Sequence, residues 1–168
     1  MDAARHHRRV RPRTWRSDAG ASLIEFALLA PVVMLLLIGI VEFGRLLATN
    51  QAVAAASREA TRYGIATGIG PNGTPRYVDC AGIREAGKRS ASIVDLTDGD
   101  IEVTYDRGPG TSEIASCPAG GSVVPARIVS GDRVRVTVRW TFRTSLPILK
   151  SALDGTTITS TDRRTVRK

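Results

Sequence analysis

The chain has 168 residues, of which 42% are hydrophobic and 24% charged, with a net charge of +8. That length holds one domain, or a membrane segment plus a domain of roughly 100 residues, and excludes two separate cores. The basic balance invites a nucleic-acid or anionic-surface reading, but residues 1–20 alone supply +4 of the +8, so the long remainder is only mildly basic.

Six arginines, Arg5, Arg8, Arg9, Arg11, Arg13 and Arg16, open the chain, and an apolar run follows. From Phe26 to Val41 sixteen residues carry no charge, which is about 24 Å of helix against a hydrocarbon core of about 30 Å. The span must therefore extend to about residues 22–47, with Glu25 at one boundary and Glu42 and Arg45 at the other. Glu42 and Arg45 are spaced i, i+3, so they share a helix face and are expected to form a membrane-boundary pair. Pro31 and Gly39 are tolerated in membrane helices. An Arg-rich flank stays cytoplasmic, which places the N-terminus inside and the residues after the span outside.

Glu25 has no partner of opposite charge within its own helix: its i+3 and i+4 neighbours are Leu28 and Leu29. A carboxylate at a helix centre in a bilayer costs about 2.5–3.5 kcal/mol, and less near the interface. A cut after Gly20 would create an α-amino group on Ala21, four residues before Glu25, on the same helix face or on a neighbouring subunit.

The basic leader ending in Gly20, followed by Ala21, Glu25 and Phe26, resembles the signal cut by prepilin peptidases. The stretches GASLIEFALLAP, GIVEFGRLL and AAASREATRYGIA, in that order over residues 16–66, resemble the opening of the TadE-like and TadG-like proteins of tight-adherence pilus systems. The resemblance implies that Gly20 and Ala21 flank a cleavage site and that Glu25, followed by Phe26, acts in processing or assembly. Its implied partners are a prepilin peptidase, other pilin or pseudopilin subunits and an inner-membrane assembly platform, for a pseudopilin of the cytoplasmic membrane. An ordinary secretory signal is the competing reading, with Ala52-Val53-Ala54 or Ala54-Ala55-Ala56 as its cleavage site, but Glu42 and Arg45 interrupt the approach to it.

Residues 46–65 are Ala-rich, lack Pro, and place Leu46, Val53, Ala56, Ala60 and Tyr63 at helical spacing. One helix is expected over about 22–64, with an Ala-rich outer half open to close approach by neighbours. The breaker run TGIGPNGTP, residues 67–75, ends it. Asp79 is the expected N-cap of a helix over about 80–95. Period-two alternation predicts strands at 101–107 and 133–143, and 156–166 reads as a polar edge strand. In the second strand Val134, Val136, Val138, Trp140 and Phe142 are expected to face a core, and Arg133, Arg135, Arg139 and Arg143 to form a solvated face. The SGD triplet at 130–132 supplies the turn before that strand.

These elements predict an α+β chain: a leader over 1–20, a long N-terminal helix over 21–65, and an extracytoplasmic domain over 66–168 with one helix on an antiparallel sheet of three or four strands. Cys80 and Cys117 both fall on the outer side, where an oxidising compartment favours a disulfide over free thiols. Two thiols fall short of a usual metal site, and His6 and His7 lie in the leader, so no metal or cofactor is expected. With no histidine in the outer domain and only turn composition around Asp95, Asp98, Asp100 and Asp106, the chain reads as a peptidase substrate and not an enzyme. Nucleic acid is an unlikely partner, because Trp140 and Phe142 lie on the sheet face opposite the arginines. A permanently anchored envelope protein binding a polymer or protein through the Arg-rich face is the alternative function.

Overall fold

The computed structural model describes residues 16–124, 126–147 and 150–167. The fold is α+β, and it divides into two units, Met1–Val41 and Glu42–Lys168. Helix α1 runs over Arg16–Ile65 with Pro31 inside it, so it contributes to both units. It starts before the expected residue 22 and ends within one residue of the expected stop; most of the expected leader, residues 1–15, lies outside the described residues.

In the first unit the side chains from Leu23 to Val41 are almost all exposed, Phe26 at 71% and Leu36 at 60% among them. An 18-residue window of α1 has mean hydropathy 2.7 and none of it is buried, which makes the helix a candidate membrane span. A soluble core helix of that hydropathy would bury the same side chains.

In the second unit α2, Cys80–Ser90, and the last part of α1 lie over one face of a four-stranded antiparallel sheet. The strands are β1, Ile101–Asp106; β2, Glu113–Ser116; β3, Arg133–Thr141; and β4, Thr157–Thr165, in the order β2-β1-β3-β4. A short helix α3, Lys150–Leu153, lies in the β3–β4 connection. Register sets the core directly: Ile101, Val103 and Tyr105 of β1 pair with Val138, Val136 and Val134 of β3, and all six are buried. Trp140, also expected inside, is only partly buried and pairs with Ile158 at the sheet margin.

Two expectations change. The Ala-rich half of α1 is not open to neighbours: Ala52, Val53, Ala56, Ser57, Ala60 and Thr61 are buried in this unit's own core. Small side chains let the helix sit close to the sheet, and Ser57 Oγ lies 2.9 Å from Ser160 Oγ on β4. The second helix is shorter than predicted, because Ala91 caps it through its N–H to the Lys88 carbonyl and the chain then turns. At the SGD turn Gly131 takes φ +102°, and Asp132 accepts the Val129 N–H at 2.8 Å.

Candidate functional site

Gly20, Ala21, Glu25 and Phe26 all lie within α1 and are exposed. A side chain built at Gly20 would meet nothing within 4 Å. Glu25 has neither an ion pair nor a hydrogen-bonding side-chain partner among the described residues, and it stands in a surround of exposed Leu23, Ile24, Leu28 and Leu29.

Glu42 and Arg45 are built differently. They form the i, i+3 ion pair at 2.7 Å, with Glu42 buried and Arg45 half exposed. The Ser145 N–H donates to the other carboxylate oxygen of Glu42 at 3.2 Å, and Arg45 donates to Ser145 Oγ at 3.0 Å. The Arg45 guanidinium also lies over the Phe142 ring, 5.8 Å from its centroid. This acid therefore fastens the β3–β4 connection to α1, a role that the spacing of Glu42 and Arg45 alone does not disclose. Beside it a cleft of about 370 Å³ is lined by Arg45, Thr49, Trp140, Phe142 and Arg143, with Asp100 and Ile93 also on its wall.

Cys80 and Cys117 are joined, with their Cα atoms 5.8 Å apart. The bond ties the start of α2 to the end of β2, and Arg84 adds a second tie by donating to the carbonyls of Cys117, Pro118 and Gly121. At the same end Asp79 caps α2 through the Gly82 N–H at 2.9 Å and accepts the Tyr63 hydroxyl at 2.8 Å. A side chain at Gly70 or Gly82 would collide with Asp79 and the Tyr63 hydroxyl, so both positions need glycine for close approach. Burial, reinforced by the Asp79 hydrogen bond and charge, pushes the Tyr63 phenol up to about 12.

The arginine face of the sheet is not a free solvated stripe. Asp106, buried at the end of β1, accepts Arg133 at 2.6 Å, Arg135 at 3.0 Å and the Gly108 N–H at 3.0 Å. Arg139 pairs with Glu102 at 2.9 Å. Burial pushes the Asp106 carboxyl up, but the Arg133 hydrogen bond, the Gly108 N–H and the two arginine charges outweigh it and hold the pKa below the ordinary value. Turn composition hid this residue, since both of its partners lie on a strand far along the sequence. Three of the four arginines are thus held by acids of the same sheet, which weakens their claim as a polyanion surface. Among the described residues no group of three His, Cys, Asp or Glu side chains is placed to hold a metal.

The stretch containing Gly20, Glu25, Glu42 and Arg45 is also the one that comparison with known families selects. Residues 20–62 match the family model TadE-like protein. No curated protein and no solved structure matches the chain. The TadE-like match covers the candidate span, the Glu42–Arg45 pair and the buried Ala-rich turns of α1. It stops before the loop that precedes α2, so the sheet, the disulfide and the β3–β4 connection lie outside it. The Ala52-Val53-Ala54 and Ala54-Ala55-Ala56 segments weighed as secretory cleavage sites lie inside α1, with Ala52, Val53 and Ala56 in the core.

Proposed function

We propose that the protein is a minor pilin-like subunit that acts in assembly of a tight-adherence pilus. It is anchored in the cytoplasmic membrane by α1, with its N-terminus inside and its sheet domain outside, and is processed by a prepilin peptidase after Gly20. The match of residues 20–62 to the TadE-like family is the observation that carries this reading. The exposed apolar surface of α1 supports a membrane anchor, and Glu25, without a partner among the described residues, supports a role for that acid with the amine of Ala21 or of a neighbouring subunit. On this reading the chain is a substrate and a structural part, not an enzyme.

N-terminal mass spectrometry of the protein recovered from host membranes tests the processing step. A mature terminus at Ala21 is expected; an intact leader would leave an uncut, permanently anchored envelope domain. Glu25→Ala is expected to impair processing or pilus assembly and Glu25→Asp to retain part of it, read by pilus counts in a complemented deletion strain. Normal piliation with Glu25→Ala would remove the charge from the mechanism.

A further inference from the structure

The face of α1 opposite Glu42 stays apolar and exposed beyond that residue: Phe43 is 60% and Leu47 49% exposed, with Gly44 and Ala48 exposed between and after them. The first exposed polar side chain on this stretch of that face is Asn50. Eight residues of helix separate Asn50 from Glu42, about 12 Å of rise. A headgroup layer is only about 5–8 Å deep on each side of the hydrocarbon. That rise exceeds the depth of the layer, so with exposed Leu47 inside the layer and Asn50 in the water above it, Glu42 lies at the hydrocarbon side, and whatever is fastened to Glu42 lies there too. The Ser145 N–H and the Arg45–Ser145 bond fasten the β3–β4 connection at that level.

The chemistry of the connection suits that depth. Pro147 is exposed, Leu146 and Leu153 are half-buried, and Arg143 and Lys150 are exposed cations without an ion-pair partner among the described residues. The neighbouring acids are engaged, Glu42 by Arg45 and Ser145, Asp154 by the Thr144 N–H at 3.2 Å, and Asp100 on the cleft wall by the N–H and hydroxyl of Thr97. Trp140, Phe142, Arg45 and Arg143 line the adjoining cleft, a mixture of aromatic rings and guanidinium groups suited to the headgroup layer. We propose that the described part of the β3–β4 connection, residues 142–147 with Lys150, is a second membrane contact. It seats in the phospholipid headgroup layer, with Leu146 and Pro147 toward the acyl chains and Arg143 and Lys150 toward lipid phosphates. This contact rests on the reading that α1 spans the membrane.

Depth-dependent quenching in lipid vesicles tests it with the full chain. In a Trp15→Phe, Trp140→Phe background, Pro147→Trp reports the connection and Leu36→Trp reports the span. The vesicles are phosphatidylcholine brominated either near the glycerol end or near the methyl end of the acyl chains. Pro147→Trp is expected to lose fluorescence to the shallow bromines and little to the deep ones, and Leu36→Trp to lose it chiefly to the deep ones. A quenched Leu36→Trp beside an unquenched Pro147→Trp overturns the second contact and leaves the span standing. If neither is quenched, the span fails and the inference falls with it. Lys150→Trp repeats the reading should Pro147→Trp disturb the connection, and it is expected to show the same shallow quenching.

Discussion

Replacing Asp106 with Asn keeps the side-chain shape but removes the charge that Arg133 and Arg135 share. The carboxylate is 2% exposed, and the two arginines are 18% and 31% exposed. Removing one partner of a buried ion pair costs about 3–5 kcal/mol, because the other charge is left buried and uncompensated. Here water reaches both guanidinium groups in part, so a loss of about 2–3 kcal/mol is expected. For a domain of this size that lowers Tm by roughly 8–12 °C, measured by circular dichroism during heating of the full chain in detergent. The pH dependence supplies a second reading. Because the folded pKa of Asp106 is depressed, its contribution is present above the unfolded value, about 3.9, and is lost as the pH falls from there through the folded value. The gap between wild type and Asp106→Asn should therefore close on acidification. A Tm shift below about 2 °C at neutral pH, or a gap that does not change with acid, would refute the assignment of Asp106 as the acid holding the arginine face.

Two other perturbations probe the helix-covered side of the domain. Replacing both Cys80 and Cys117 with Ser reopens a chain segment with a sequence separation of 37, a loop entropy worth about 4 kcal/mol. A fall of Tm by more than about 10 °C is expected, and an unchanged Tm under oxidising conditions would show that the bond contributes nothing to stability. Gly82→Ala forces a methyl group onto Asp79 and the Tyr63 hydroxyl, costing about 1–3 kcal/mol through overcrowding. It should also bring the Tyr63 phenol from about 12 toward the ordinary value near 10, which ultraviolet titration of phenolate measures; an unchanged titration with an unchanged Tm would place neither contact under strain.

What the sequence discloses follows from the range of the forces involved. The alternation in β3 and the capping chemistry of Asp79 are local, and the structure places both as the pattern predicts, with Val134, Val136 and Val138 inward and Asp79 on the Gly82 N–H. Strand β2, four residues at an edge with no full alternation, carries too weak a pattern to stand out. The acids were harder to place because their partners are remote in sequence. Glu42 shows its Arg45 pair at i, i+3, but the Ser145 N–H that completes the site lies 103 residues away. Asp106 is joined to its arginines across a strand pair. The Ala-rich turns of α1 are ambiguous for another reason: small side chains allow close packing against any surface, and periodicity alone does not say whether that surface belongs to a neighbour or to the same chain.

The burial of those turns makes α1 one wall of the domain as well as a candidate membrane span. Ala52, Val53, Ala56 and Ala60 belong to the same apolar core as the β1 and β3 valines. A truncation beginning after the 67–75 loop would accordingly leave the sheet with an open apolar face and drive it to aggregate. A protease that nicks that loop would cut the chain without shedding the sheet, because the severed part would remain docked on α1 through their shared core.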